Sequence, residues 1–350
     1  MSCHIIGAGA SMPERVVAND ELAPLLGVTA GWIESGSGIR ERRWVAAEQS
    51  TSDLAVAAVG NALSSAFVRA EMVDYLIGCT MSPDYQVPGI APLVQRKLTG
   101  CRTVPAVDLR VGCAAILYSL QLARGLIESG AARTVVCFGA EAHSKGLDLS
   151  PRSAELSMLF GDGAGALIVS SGSRPNRETP PSRESGRLSL RVEDVLVAAD
   201  GDFAEDLIVR APGTGNGASW ISSEQLNAGL QYGSMNGRSV ILHAVRKLAE
   251  AAVEITERNG LGLDEIDLVI PHQANGNLLS TLSRKLSISR ERIISNVDRF
   301  GNTGGASAFI ALWQAYQQER LRPGAAVLIL AFGAGFTWGA ALCRVTTEPS

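Results

Sequence analysis

The sequence predicts an α/β protein, built as a duplicated αβαβα layered sandwich. Short runs of β-branched residues alternate with longer amphipathic segments, a pattern typical of a mixed or mostly parallel sheet with helices on both faces. The same succession of segments occurs twice, about 190 residues apart. A chain of 350 residues with 46% hydrophobic content and 37 glycines is long enough to bury the core that such a fold needs.

Five pairs of segments establish the repeat. The separations in the first three pairs are nearly constant, since position 74 to 267 is 193 residues, 97 to 285 is 188 and 108 to 298 is 190. We therefore expect two copies of one α/β unit, with helices lying between two sheets. The paired segments are 73–78 with 266–271, 94–98 with 282–286, 107–109 with 297–299, 134–140 with 327–333, and 163–167 with 337–341.

The repeat divides the chain into a first half, 1–170, and a second half, 189–350. Between them, 171–188 is a long polar stretch rich in Pro, Ser and Arg. Because such a composition cannot bury a core, we expect 171–188 to be a surface linker without a binding function.

Composition argues against several functional classes. A formal net charge of −4 and a pI of about 5.7 leave no basic excess for a nucleic acid. The six cysteines are scattered without a C-x-x-C pair, which indicates a reducing compartment and argues against disulfides and structural zinc. The chain starts without a signal peptide pattern, and no apolar run is long enough to span a bilayer. We expect a cytoplasmic protein that does not associate with membranes.

Three residues with complementary chemistry lie in short stretches that predict a strand end followed by a turn. They are Cys113, His272 and Asn302. A thiol can carry an acyl group, while an imidazole and a carboxamide can bind the oxyanion of a decarboxylating thioester. Together they predict one active site that forms carbon–carbon bonds.

Two of these residues precede predicted helices. Cys113 is followed by the helix-forming run 114–123, and Asn302 by 304–313, so the two occupy nearly equivalent places in the two repeats. The positive end of a helix dipole stabilises a thiolate. We therefore expect a lowered pKa for the Cys113 thiol.

Similar residues elsewhere have simpler interpretations. Cysteines in apolar runs are usually core residues, and isolated histidines are usually structural. The glycines of 160–166 match neither a P-loop nor a dinucleotide fingerprint, so we expect close packing at a strand start. The residues assigned to these structural roles are Cys79, Cys137, Cys343, His4, His143 and His243.

Several motifs occur in combination from the first predicted strand to the last. Taken together, they resemble the β-ketoacyl-acyl carrier protein synthase III family of the thiolase-like fold, over the whole chain. Besides the Cys113 turn, the motifs are I-I-G-A-G (5–9), Trp32-Ile33, G-I-R-E-R-R (38–43), F-G-D-G-A-G-A (160–166), P-H-Q-A-N (271–275), G-N-T (301–303) and F-G-A-G-F-T-W-G (332–339).

The resemblance implies a role for each site residue. Cys113 would be the acylated nucleophile, and His272 with Asn302 would stabilise the enolate that forms as CO₂ leaves a malonyl thioester. The backbone N–H groups of Cys113 and Ala334 would form the oxyanion hole for the acyl thioester. The resemblance also implies a homodimer and CoA or 4′-phosphopantetheine thioesters as substrates. No metal or redox cofactor is expected, because these protein groups are sufficient for the chemistry.

The resemblance also implies substrate contacts. Trp32 would stack on adenine, Arg152 lies close to a second adenine-contacting position, and Asn275 belongs to the P-H-Q-A-N motif. Val87 occupies the position at which a phenylalanine of the dimer partner usually closes the acyl pocket. A basic cluster near the His272 loop either docks an acidic carrier protein or is a solvated helix face. The cluster consists of Arg284, Lys285, Arg290 and Arg292.

Three alternatives to condensation agree less well with these residues. Thiolases use a second cysteine near the C-terminal glycine-rich turn, and 332–335 contains none, so that activity is not expected. An acyltransferase acting on an oxygen or nitrogen acceptor does not need the His272 and Asn302 pair. A non-enzymatic partner of a larger complex has no need of a cysteine at a helix N-terminus.

Departures from the family pattern bear on the substrate. Gly36 and Asn277 stand where the family commonly has arginines that contact CoA and the carrier protein, and Val87 implies a roomier acyl pocket. These departures favour a specialised enzyme of polyketide or other secondary metabolism, similar to the quinolone-pathway and α-pyrone-forming ketosynthases. Its extender would be a malonyl- or β-ketoacyl-type thioester. The alternative is a housekeeping initiator of fatty acid synthesis that uses acetyl-CoA.

Overall fold

The computed structural model describes residues 2–172, 188–217 and 219–347. Across these ranges, no helix combines the length and the hydrophobicity needed to cross a membrane. The strands are β1 (His4–Ser11), β2 (Arg15–Ala18), β3 (Glu41–Trp44), β4 (Tyr75–Cys79), β5 (Ala106–Leu109), β6 (Thr134–Glu141), β7 (Gly163–Ser170), β8 (Leu188–Ala199), β9 (Leu207–Val209), β10 (Gly233–Met235), β11 (Leu268–Pro271), β12 (Ala326–Gly333) and β13 (Thr337–Thr347). The helices are α1 (Asn19–Leu26), α2 (Ala30–Ser37), α3 (Thr51–Ala66), α4 (Ile90–Lys97), α5 (Ala115–Glu128), α6 (Ala154–Ser157), α7 (Ser223–Asn227), α8 (Gly237–Arg258), α9 (Gly276–Leu286), α10 (Val297–Phe300) and α11 (Ser307–Gln317).

The two halves of the chain form strands in the same arrangement. In the first half the order is β5–β4–β6–β7–β1, in which β4 is parallel to β5 and β6, and β7 is antiparallel to β6 and β1. In the second half the order is β11–β12–β13–β8, in which β11 is parallel to β12, and β13 is antiparallel to β12 and β8. Ile293 adds a parallel bridge to Val269 on the outer side of β11, where β5 would lie in the first half.

Hydrogen bonds connect the two halves, so nine strands form one continuous sheet. The connection is short, because β1 pairs with β8 only at His4 with Arg191 and Ile5 with Leu190. The two predicted sheets are therefore joined along one edge. The first strand of each half, β1 and β8, is the edge strand of that half, and the two edges meet at these two residue pairs.

The helices pack in layers around the sheet. The central helices α5 and α11 each contact strands of both halves, α5 through β6 and β8 and α11 through β7 and β11. On the outer faces, α3 packs against β1, β6 and β7, whereas α8 packs against β8, β12 and β13. The result is the predicted αβαβα arrangement.

Local sequence explains why the outer helices begin where they do. Ser50 and Asp53 form a capping box at the start of α3, in which each side chain accepts from the backbone N–H of the other. Asn236 caps α8 by accepting from the N–H of Ser239. One face of α3 packs against the sheet and is buried, and it includes Leu54, Ala55, Ala58 and Val59.

One pair of the predicted repeat is wrong. Residues 107–109 lie in β5, but 297–299 lie in the short helix α10 instead of a strand. The structural counterpart of β5 is the segment around Ile293, because that segment bridges β11 as β5 pairs with β4. The other four segment pairs form corresponding strands or helices.

The predicted linker, 171–188, falls mostly on 173–187, which lie outside the described residues. Its last residue, Leu188, already belongs to β8. The division into halves at 1–170 and 189–350 stays a prediction.

Candidate active site

Cys113 lies in a sharp turn between β5 and α5. A single 3-10 turn, Gly112–Ala114, leads directly into the helix. Gly112 has φ +54, a conformation that side-chain-bearing residues rarely adopt. A Cβ at this position would also lie 2.9 Å from the backbone nitrogen of Ala334. The glycine before Cys113 is therefore required both by backbone conformation and by space.

The Cys113 turn packs directly on the end of β12. A Cβ on Gly333 would lie 2.4 Å from the backbone nitrogen of Cys113, so the two backbones touch. The Thr337 hydroxyl donates to the carbonyl oxygens of Val111 (2.8 Å) and Ala334 (3.1 Å) and holds this contact together. The backbone nitrogens of Cys113 and Ala334, the two expected oxyanion donors, thus both lie at the contact between the Cys113 turn and the end of β12.

The expected lowering of the Cys113 pKa was wrong. Burial raises the pKa of the thiol to about 12, and the negative charge of Glu141 acts in the same direction. Desolvation of the thiolate therefore outweighs any gain from the start of α5. A thiol with a raised pKa needs a base that accepts its proton when it attacks an acyl thioester.

His272 directly follows β11 and is buried. Its backbone N–H donates to the carbonyl oxygen of Leu330 at 2.7 Å, which extends the pairing of β11 with β12 by one residue. Ring atom Nδ1 forms a short hydrogen bond with the Ser307 hydroxyl, which also accepts from the N–H of Gln273. Because that oxygen is already an acceptor, the arrangement favours a hydroxyl that donates to Nδ1, with the ring proton on Nε2.

Burial also determines the charge of His272. It lowers the pKa of the imidazole to about 3, so the ring is neutral at physiological pH. A neutral imidazole with its proton on Nε2 is a hydrogen-bond donor and can stabilise a developing oxyanion.

Asn302 is held by its backbone in a turn that follows α10, and not at a strand end as predicted. Its N–H donates to Leu159 O at 2.8 Å and its carbonyl accepts from Gly161 N at 3.1 Å. The side-chain oxygen Oδ1 accepts from Gly304 N at 2.9 Å. Since the oxygen is occupied, the Nδ2 hydrogens are the groups that the carboxamide can offer to a substrate oxygen.

The turns after Cys113 and Asn302 meet at the starts of α5 and α11. A Cβ on Gly305 would lie 3.3 Å from Ala115 Cβ and 3.3 Å from Gly112 O. Ser307, the first residue of α11, connects the same place to His272. The structure thus brings the elements that carry the three predicted residues together.

Residue types alone did not identify Ser307 or Gln273. Ser307 orients the His272 ring. Gln273 fixes the loop after β11, because its Nε2 donates to Pro271 O (2.8 Å) and Ile294 O (3.1 Å) and its Oε1 accepts from Asn296 N (3.0 Å). The only sequence signal was the position of Gln273 inside P-H-Q-A-N. Nothing local indicated that Ser307 contacts a residue 35 positions away.

We predict that Ser307→Ala lowers the rate of condensation by about tenfold, because one neutral hydrogen bond that orients the His272 ring is lost. Acyl loading on Cys113 should be unchanged. The matched control is Ser119→Ala, which removes a buried hydroxyl on α5 that donates to Ala115 O at 2.7 Å. Single-turnover rates of the two steps check the prediction, and equal condensation rates for Ser307→Ala and the wild type would contradict it.

The predicted substrate residues lie on several elements. Trp32 is on α2 with 39% of its surface exposed, and Val87 is 86% exposed. Arg152 pairs with Asp148 and stacks over the Tyr232 ring at 5.6 Å. Asn275 is buried, and its Oδ1 caps α9 by accepting from Leu278 N at 2.7 Å. These contacts give Arg152 and Asn275 structural roles in addition to the predicted ones.

The predicted docking cluster lies at the end of α9 and in the turn after it. Arg284 and Lys285 are exposed in the last turn of the helix, where positive charge interacts favourably with the helix dipole. Arg290 is exposed, whereas Arg292 is half-buried and donates to Asp264 O at 2.8 Å. Three of the four cations therefore face solvent.

The glycine-rich segment 160–166 packs closely, as predicted. A Cβ on Gly161 would lie 2.2 Å from Phe300 O, and one on Gly165 would lie 2.5 Å from Phe309 Cβ. These glycines bring β7 against α11 and the Asn302 turn. The segment is thus a packing element that positions the site.

Comparison with known proteins agrees with this geometry. The family model described as 3-oxoacyl-[acyl-carrier-protein (ACP)] synthase III matches residues 107–181, and the model of its C-terminal part matches residues 256–345. The chain is 37% identical over 340 residues to the β-ketoacyl-[acyl-carrier-protein] synthase III of Roseiflexus sp. (strain RS-1). The alignment covers 97% of each of the two chains.

Solved structures show the same relationship. The crystal structure of 3-oxoacyl-[acyl-carrier-protein] synthase III from Aquifex aeolicus VF5 is similar with a TM-score of 0.83 and 33% identity, over 98% of this chain and 99% of the other. The priming β-ketosynthase from the R1128 polyketide biosynthetic pathway is similar with a TM-score of 0.81 and 27% identity, over 100% and 97% of the chains. These findings confirm the resemblance and the thiolase-like fold. The chain belongs to the 3-oxoacyl-[acyl-carrier-protein] synthase III family and is a condensing enzyme of the acyltransferase class.

Proposed function

We propose that the enzyme loads an acyl group on Cys113 and then condenses it with a malonyl-type thioester. In the first step the sulfur of Cys113 attacks the thioester carbonyl, the thiol proton goes to a base, and the thiol of the acyl donor leaves. In the second step the malonyl group loses CO₂, and the resulting enolate attacks the acyl carbonyl. A carbon–carbon bond forms, and the Cys113 thiolate leaves and is protonated.

One observation carries this proposal. The elements that bear Cys113, His272 and Asn302 meet at one place, with a neutral imidazole and a carboxamide whose oxygen is already occupied. Two donors of this kind are suited to an enolate oxygen, which becomes negative as CO₂ leaves. The backbone N–H groups of Cys113 and Ala334 are suited to bind the acyl carbonyl oxygen. Simple acyl transfer to an alcohol or amine needs the donors for the acyl carbonyl oxygen but not the donors for an enolate.

We propose further that the acyl group is larger than acetyl and that the product belongs to polyketide or other secondary metabolism, with α-pyrone and quinolone types as examples. The small side chain of Val87 favours a large acyl group. The likeness to a priming ketosynthase of a polyketide pathway points in the same direction. Acyl-CoA or an acyl carrier protein is the proposed donor, and the enzyme is proposed to act as a homodimer.

A second candidate is the initiation of fatty acid synthesis from acetyl-CoA. The full-length relative at 37% identity, whose name is β-ketoacyl-[acyl-carrier-protein] synthase III, favours it. The two candidates share the chemistry at Cys113 and differ in the acyl group that is loaded. A comparison of acyl groups therefore separates them.

We predict that the wild type loads medium, long or aromatic acyl groups faster than acetyl, and that Val87→Phe reverses this preference at least tenfold, because the larger ring fills the acyl pocket. Val87 is 86% exposed in the single chain, so the substitution should not destabilise it. Intact-protein mass spectrometry with a panel of acyl-CoA and acyl-carrier thioesters measures loading. Efficient loading of acetyl and its discharge by malonyl carrier protein with CO₂ release would identify the second candidate instead.

A further inference from the structure

Glu141, the last residue of β6, is a fully buried carboxylate beside the active site to which the reaction described above assigns no role. It accepts hydrogen bonds from four groups on two separate segments. The donors are Met81 N (3.2 and 3.1 Å), the hydroxyls of Ser82 (2.6 Å) and Thr80 (3.3 Å), and Gly305 N (3.2 Å). A carboxylate can accept all four bonds, whereas an amide of the same shape can accept only part of them.

These bonds join two parts of the proposed site. Met81 and Ser82 lie in the loop after β4, which continues to Val87. Gly305 belongs to the turn that begins at Asn302 and leads into α11. Two of the donors are backbone N–H groups, so the connection fixes the path of the main chain in both segments. Glu141 therefore sets the position of the Asn302 turn relative to the loop after β4.

The carboxylate also lies close to the Cys113 turn. A Cβ on Gly305 would be 3.2 Å from Glu141 Oε1 and 3.3 Å from Gly112 O, so one glycine separates the charge from the residue that precedes the nucleophile. In a buried site a negative charge at this range disfavours a second negative charge. Other titratable and charged groups on the surrounding elements include Cys79, Asp84, Tyr85, Asp108, Arg110, Cys137, His143, Lys145 and His272. His143 Nε2 lies 3.7 Å from Glu141 Oε2, and His272 is neutral.

We propose that Glu141 is a positioning residue of the condensation site: its buried carboxylate ties the Asn302 turn to the loop after β4 and places a negative charge beside the Cys113 turn. The inference rests on the proposed role of Cys113 as the nucleophile. Its consequence is that removal of the Glu141 charge should make the Cys113 thiol of the free enzyme more acidic. The geometry needed for condensation and the acidity of the nucleophile thus depend on one side chain.

The test separates charge from position with two variants. Glu141→Gln removes the charge and part of the hydrogen bonding. Glu141→Asp retains the charge and withdraws the carboxylate by one methylene. The control is Asp162→Asn, a carboxylate that is equally buried and accepts from Val45 N (2.8 Å) and Ser144 N (2.9 Å). Circular dichroism and the melting temperature establish that each variant is folded.

The first readout is the midpoint of Cys113 ionisation, and peptide mass spectrometry confirms the modified site. It is obtained from the rate of alkylation by iodoacetamide between about pH 7 and 10, where the rate is proportional to the thiolate fraction and a midpoint lower by one unit gives an about tenfold faster reaction. We expect this midpoint to fall by about one pH unit in Glu141→Gln and to stay at the wild-type value in Glu141→Asp and Asp162→Asn. The second readout is the condensation rate, which should fall about 100-fold in both Glu141 variants because the Asn302 turn shifts. A structural defect alone would change rates without a lower midpoint.

The proposal is overturned by an unchanged or higher midpoint in folded Glu141→Gln, or by a midpoint that falls equally in Asp162→Asn. If Glu141→Gln does not fold, a lowered midpoint or a wild-type condensation rate in Glu141→Asp overturns it instead. Alkylation needs no acyl substrate. A wild-type enzyme that fails to condense therefore contradicts the proposed function, and the comparison of midpoints still decides the role of Glu141.

Discussion

Replacement of Cys113 by alanine is expected to abolish acyl loading and to lower condensation by about 10⁴-fold or more, because the covalent intermediate cannot form. In intact-protein mass spectra, the wild type should gain one acyl group per chain and Cys113→Ala should gain none. Cys113 is half-buried, whereas the other five cysteines are buried. Because the sulfurs of the five buried cysteines are not accessible to an acyl thioester, they should not be acylated.

The matched control for this experiment is Cys343→Ala, which removes a fully buried thiol on β13. It should load acyl groups as the wild type does, although some stability is lost with the buried sulfur. Full acylation of Cys113→Ala would refute the assignment of the nucleophile. Loading that is lost in the control as well would show that the assay reports unfolding.

Replacement of Asn302 is expected to separate the two steps of the reaction. Removing one donor from an oxyanion site typically costs about 10² to 10³ in rate, so Asn302→Ala should lower condensation by that factor. Loading on Cys113 should remain within a few-fold of the wild type, because the acyl carbonyl is bound elsewhere. Single-turnover loading and release of CO₂ from malonyl carrier protein measure the two steps.

The alanine variant also loses the hydrogen bond that Gly304 N donates to Oδ1 of Asn302, so a second variant is needed. Asn302→Asp keeps an oxygen for Gly304 and replaces the Nδ2 donor with an acceptor. It should be as slow in condensation as Asn302→Ala while its turn stays intact. If Asn302→Asp condenses at the wild-type rate, Nδ2 is not the enolate donor. If the wild type acylates an alcohol or amine without CO₂ release, the enzyme is an acyltransferase to such an acceptor.

Most of the fold was predictable from local patterns. The strand-like runs at 134–140 and 327–333 became β6 and β12, because eight consecutive buried positions require an apolar strand that is covered on both faces. The error at 297–299 has a physical cause. Three residues are too few for their hydrophobic pattern to separate a strand from a turn of helix, and constant spacing alone misplaced the partner of β5.

The site was predictable only in part. Cys113 was recognisable because a glycine precedes it and a helix-forming run follows, and both features are local. Its pKa was not predictable. The direction of the shift depends on burial and on Glu141, which is 28 residues away in the chain, since 141 minus 113 is 28. A helix dipole can be inferred from sequence, but desolvation cannot.

The sequence by itself thus determined the αβαβα architecture and the internal repeat and indicated a thiol, an imidazole and a carboxamide as site candidates, because hydrophobic periodicity and turn residues act over short ranges. The tertiary structure decided which groups complete the site. Ser307 contacts His272 because α11 begins beside the end of β11, and Glu141 contacts Gly305 because β6 ends against the Asn302 turn. Contacts between segments that are distant in the chain form only when the elements pack together. Packing also determines which ionisable groups are desolvated.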